Sequence, residues 1–178
     1  MANKGQIVEI PASSLLYSQP TPAFASKKEE LLWLSTHPMY SLFDGILIGG
    51  HDGIEHFKIG QRKGVNQYGG SPNPLFVIAI DKKDNRIFAG AGNQHPGLFA
   101  KVISLPQIFL KWQIDDPIDF PIDIEIEKHP EKDILQAKLY RFDDNYFFEF
   151  LKPIEKTLFN NNFKILINQH IAATTELK

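Results

Sequence analysis

The chain has 178 residues, 43% hydrophobic and 22% charged, with 12 Gly and 12 Pro, enough for one ordinary domain or two small ones and too apolar for disorder. It contains no cysteine, which excludes disulfides, thiolate metal sites, cysteine nucleophiles and persulfide chemistry on this polypeptide. The net charge of −2 is unevenly spread: residues 51–101 carry 7 basic and 4 acidic groups, residues 102–178 carry 9 and 13, so a polyanion would be met by the middle third.

No apolar run reaches the ~20 residues that cross a bilayer, and Met1 to Gln6 lack the apolar core of a signal peptide, so the expectation is a cytoplasmic chain with no membrane partner. In chain order, Gly5 to Ile10 reads as a first strand, followed by a Ser- and Pro-rich loop around Pro11, Pro20 and Pro22. Ser26-Lys27-Lys28-Glu29 has capping-box spacing ahead of Leu31, Leu32, Trp33 and Leu34, which predicts one helix over 27–36, stopped by His37-Pro38. From Asp44 the signals are β: Ile46-Leu47-Ile48 closed by Gly49-Gly50, then 75–80, a turn at 81–85, and a returning strand at 86–89. A short helical turn is expected between Leu105 and Trp112. From Ile118 to Ile126 every second residue is apolar, with Asp119, Asp123, Glu125 and Glu127 interleaved, which makes a strand with one acidic face. Strands over 135–139, 146–151, 163–167 and 171–177 complete the pattern of a small antiparallel barrel. The fold class expected is mainly β: a small β domain over 1–100, with 11–44 as an inserted loop and helix, then a β-barrel over 101–178.

The stretch from His51 to Val65 is the most distinctive. Gly60 and Gly64 bracket Gln61-Arg62-Lys63, placing an amide and two cations on a backbone free to adopt positive φ. Such a loop can approach a phosphodiester chain closely, and an arginine can grip a phosphate with two hydrogen bonds. The plain alternative is an exposed polar turn with no ligand.

The same stretch resembles the middle segment of the bacterial tRNA-specific 2-thiouridylases. Gly49, His51 and Gly53 match the family's G-x-H-x-G, and Phe57-Lys58-Ile59-Gly60-Gln61-Arg62-Lys63-Gly64-Val65 matches its aromatic-T-I-G-Q-R-K-G-L. Gly69-Gly70-Ser71, Leu75 to Ile78, Asp81, Asn85, Gly90 and His95-Pro96 follow in the family's order. The resemblance implies the central and C-terminal domains of such an enzyme without its ATP-pyrophosphatase domain. The family's Ser-Gly-Gly-Val-Asp-Ser phosphate loop does not occur in this sequence, nor do its two sulfur-transferring cysteines. Glu125 and Glu127 stand where relatives often place arginines, and 158–162 replaces the family's Thr-Pro-Gly-Gln turn.

The resemblance therefore implies a non-catalytic tRNA-binding accessory module, without cofactor, acting beside a separate ATP-pyrophosphatase subunit. Lys58, Arg62 and Lys63 would contact phosphates, and Gln61 would read a base edge or backbone. Gly60 and Gly64 would permit approach, His51 is the family's loop histidine, and Lys82, Lys83 and Arg86 would extend the patch. The alternative is a protein-interaction module that kept the fold and lost RNA binding, docking through Trp33 and Leu34. A third reading is a piece of a longer enzyme. A metal site at His51 and His56 is disfavoured because strand alternation sends the two to opposite faces, and Asp115, Asp116, Asp119 and Asp123 lack calcium-loop spacing. Phe142, Tyr146, Phe147, Phe148 and Phe150 read as core, although alternation leaves one of their two faces open to a stacking role.

Overall fold

Strands dominate the computed structural model, which describes residues 4–65, 72–115, 117–128 and 133–177. The chain forms two units, one from the segments up to Pro22 and from Pro38–Phe99, the other from Ala23–His37 and from Ala100 onward. Among the described residues no helix is long and apolar enough to cross a membrane.

The first unit is a four-stranded sheet of β1 (Gly5–Glu9), β2 (Ile46–His51), β3 (Leu75–Asp81) and β4 (Arg86–Ala91), ordered β2-β1-β4-β3. The β1–β2 and β3–β4 pairs are antiparallel, whereas β1 and β4 run parallel with Ile7 opposite Ile87 and Val8 opposite Phe88. Both faces are covered: Ile7, Val65, Leu75, Val77 and Ile87 pack on one side, Val8, Ile10, Ile78, Phe88 and Leu98 on the other. That double burial is why these strands read as continuous apolar runs. A register shift between Val77 and Ala79 marks a bulge in β3. Gly49 and Gly50, expected to close the second strand, continue it to His51.

The second unit is a curled antiparallel sheet, a half-barrel. It comprises β5 (Phe99–Pro106), β6 (Leu110–Trp112), β7 (Ile122–Lys128), β8 (Ile134–Phe142), β9 (Asn145–Glu155), β10 (Phe163–Ile167) and β11 (His170–Thr175), ordered β5-β9-β8-β7-β10-β11-β6. Ile124, Ile126, Leu139, Phe148, Phe150 and Ile165 form its inner core. Asn168 and Gln169 take positive φ of 51° and 68°, the conformation a two-residue hairpin loop requires.

The predicted helix is present as α1 (Lys27–Thr36). Ser26 Oγ accepts from the Glu29 N–H, while the Glu29 carboxylate reaches back to the Ala25 N–H rather than to Ser26 itself. Placed by sequence inside the first domain's insertion, α1 packs instead on the half-barrel, where Leu31 meets Val102, Tyr140 and Phe147. Lys27 Nζ donates to Glu149 at 2.9 Å, and the Tyr140 hydroxyl donates to the same carboxylate at 3.0 Å. Burial alone would raise the Glu149 carboxyl, but these two donors outweigh it and hold it below its ordinary value.

Other expectations are corrected or refined. The alternating strand expected from Ile118 begins at Ile122, after a cis Phe120–Pro121 peptide. The short helical turn expected between Leu105 and Trp112 is present as one 3-10 turn at Gln107–Phe109, between the end of β5 and β6. Phe147 and Phe148 do alternate in direction, but no face is left open: Phe147 is 2% exposed because α1 covers it. Gly69-Gly70-Ser71 and Asp116 lie outside the described residues.

Candidate nucleic-acid interface

The 57–65 segment alternates anchors with solvent-facing cations. Phe57, Ile59 and Val65 pack into the first unit's core, while Lys58, Arg62 and Lys63 are exposed. Gly60, at φ +80°, donates its N–H to the Val77 carbonyl at 2.7 Å, and the Val77 N–H donates to the Gln61 carbonyl at 3.0 Å. The loop thereby closes the outer edge of β3 at its bulge. The Gln61 side chain is turned inward: its Oε1 accepts from the Lys58 N–H at 3.1 Å, and its Nε2 donates to the Lys63 carbonyl at 2.9 Å. Gln61 thus braces the loop through one bond at each end of its amide. Gly64, at φ +87°, lies against Phe57, whose ring would sit 3.2 Å from a Cβ placed there. A side chain is disfavoured at Gly64 by both conformation and space.

His51 is buried at 6% exposure. Its Nδ1 accepts from the Gly53 N–H at 3.2 Å and its ring meets Phe57 edge-on, with centroids 5.6 Å apart. A Cβ on Gly5 would collide with this ring and with the Asn85 carbonyl. The imidazole therefore supports the loop from beneath and does not reach its surface. Its Nε2 has no hydrogen-bond partner among the described residues.

The β3–β4 turn supplies the second group. Asp81 Oδ1 accepts from the Lys83 and Asp84 N–H groups, and Asn85 takes φ +53°, leaving Lys82 and Lys83 exposed. Arg86 is differently placed, donating to the Asp84 carboxylate at 2.6 Å and to Gln6 Oε1 at 3.0 Å, so its guanidinium braces the turn. Among the described residues no carboxylate lies within ion-pair distance of Lys58, Arg62, Lys63, Lys82 or Lys83. From Val77 to Asp81 along β3 is about 13 Å, so the two cationic groups sit several phosphate spacings apart.

Sequence reading missed a groove of about 840 Å³ on the outer face of the half-barrel. The acidic face of β7 contributes Asp123 and Glu125, but Gln136 and Lys138 of β8, Glu149 of β9 and Lys101 of β5 join them, and Lys138 lies 3.4 Å from Asp123. Mixed charge suits this groove poorly to a polyanion.

Residues 36–91 match the model of the tRNA methyl transferase PRC-barrel domain, a span that contains the basic loop, the β3–β4 turn and His51. The tRNA-specific 2-thiouridylase MnmA of Christiangramia forsetii is 40% identical over 111 residues, 62% of this chain, and that of Flavobacterium johnsoniae 38% over 113 residues, 64% of it. The same enzyme of Karelsulcia muelleri is 33% identical over 150 residues, or 84% of this chain. The chain is thiouridylase-like over most of its length. It spans only 28% to 37% of these relatives' own lengths. Similarity to tRNA-modifying enzymes thus covers the basic loop, and the 150-residue match must also enter the half-barrel.

Proposed function

We propose that this chain is a non-catalytic tRNA-binding module of tRNA modification, acting in the cytoplasm beside a separate ATP-pyrophosphatase subunit. The carrying observation is the anchored 58–64 loop, which holds three exposed cations with no carboxylate partner among the described residues. Lys58, Arg62 and Lys63 contact phosphates, Lys82 and Lys83 extend the track along β3, and His51, Gly60, Gln61, Gly64 and Arg86 hold these cations in place. In this reading residues 1–100 form the domain carrying the RNA contacts and residues 101–178 the second, with α1 of the 11–44 insertion packed on the second. The lack of every cysteine leaves this polypeptide without a sulfur carrier.

Filter retention of bulk tRNA at about 50 and 200 mM salt tests the assignment. Saturable binding should fall steeply with salt, and the double change Arg62→Ala with Lys63→Ala should lower the log–log salt slope by about 2. Unchanged affinity and slope in that variant would overturn the roles of Arg62 and Lys63. A module that lost RNA binding is favoured by Glu125 and Glu127 on β7, and absence of retention at low salt would decide for it.

A further inference from the structure

We propose that the groove on the outer face of the half-barrel docks an extended segment of a partner protein, which sets a lysine or arginine on Glu125. β7 carries three carboxylates on this face, and they are treated differently. Asp123 stands opposite Lys138, 3.4 Å from its ammonium, and Glu127 stands opposite Lys164 at 3.1 Å. Glu125, between them, faces Gln136 on β8 and Leu166 on β10. No cation lies within ion-pair distance of Glu125 among the described residues, although the side chain is half-buried. A carboxylate already partly withdrawn from water gains more from an incoming cation than a fully solvated one does.

The rest of the groove selects the molecule that brings this cation. Gln136, Asn168 and Gln169 line it with exposed amide side chains that make no hydrogen bond among the described residues. Each amide offers a donor and an acceptor, which suits the N–H and C=O groups of a peptide backbone. A helix satisfies those groups internally, so the segment that fits is extended or irregular. Leu151, 90% exposed in the wall, supplies an apolar contact. Lys101 on β5 is exposed and has no carboxylate within ion-pair distance among the described residues, whereas Glu149 is held by Lys27 and Tyr140.

Lys101 and Glu125 are thus the two uncommitted charges of the groove, opposite in sign and three strand spacings apart. That separation is about 14 Å at ~4.8 Å per strand, which a peptide covers in about four residues and a single amino acid cannot bridge. The fitting segment therefore carries its lysine or arginine about four residues from an aspartate or glutamate. Three carboxylates, Asp123, Glu125 and Glu149, against two ammoniums, Lys101 and Lys138, count against a nucleic-acid strand. All these residues belong to the second unit, so the proposal stands whether or not the basic loop binds RNA.

Selection of a displayed library of random peptides, about twelve residues long, on the full chain tests it. Enriched peptides should share a basic and an acidic residue at about that spacing, and bind with Kd of about 1 to 100 µM. In two-dimensional NMR they should shift the amides of Glu125, Gln136, Asn168 and Gln169. Glu125→Lys should weaken binding at least about tenfold, and exchanging the peptide's basic residue for glutamate should restore it. Glu125→Gln, which keeps the side chain's shape, should weaken binding with the thermal midpoint unchanged. Failure to enrich any peptide overturns the proposal. So do peptides that shift other amides, binding that both variants preserve, or an oligouridylate that shifts the groove amides where peptides do not.

Discussion

Gln61 uses its side chain inside its own loop, tying the backbone of Lys58 to that of Lys63. Gln61→Ala removes both bonds, and each is worth about 1 kcal/mol net. The expected result is a small loss of stability, faster exchange of the Lys58 amide, and weaker tRNA retention although no charge has changed. Two-dimensional NMR exchange alongside the filter assay reads both effects. Lys156 carries a pH-dependent prediction. Burial lowers its ammonium from 10.5 to about 8, and no carboxylate lies within ion-pair distance of it among the described residues. Between about pH 8 and 10.5 the unfolded chain binds a proton that the folded chain lacks, so this group makes stability rise with pH across that window. Lys156→Met should be about 1–3 kcal/mol more stable than wild type at pH 7, a gap that shrinks to below about 1 kcal/mol by pH 10. Denaturant melts of both proteins at the two pH values measure it.

At the scale of elements, α1 belongs energetically to the half-barrel. Leu31 is fully buried against Val102, Tyr140 and Phe147, while Lys27 is bonded to Glu30 and Glu149 at one end of the helix. Leu31→Ala should cost about 2–4 kcal/mol through lost burial and the cavity left behind. The loss should fall on the second unit: amide protection should drop in β8 and β9 before it drops in β1 or β4. The helix itself was legible in the sequence, because Ser26, Glu29 and Pro38 are local signals acting within a few residues. Its docking partner was not, since Phe147 and Tyr140 lie more than a hundred residues away in sequence. For the same reason one face of β9 looked open in the sequence when it is covered.

For the whole molecule, charge is divided between tasks. The five exposed cations of the basic loop and β3–β4 turn lie on the first unit, while the half-barrel's outer groove mixes both signs. With no cysteine in the sequence, purified chain given ATP and tRNA should form no 2-thiouridine, which nucleoside mass spectrometry would read directly. What the sequence determined by itself was whatever local chemistry or period carries. The two-residue alternation of β7, the capping signals of α1, the glycine-bracketed cations at 60–64 and the lack of cysteine are of that kind. Tertiary structure decided which of the named side chains face water. It buried His51 beneath Phe57, turned Gln61 inward and bound Arg86 to Asp84 and Gln6, leaving Lys58, Arg62, Lys63, Lys82 and Lys83 exposed. It also made the parallel β1–β4 pair and curled seven strands into a half-barrel. The physical reason is range: hydrogen-bond partners and burial depend on residues brought together by folding from distant positions, and no local pattern encodes which ones meet.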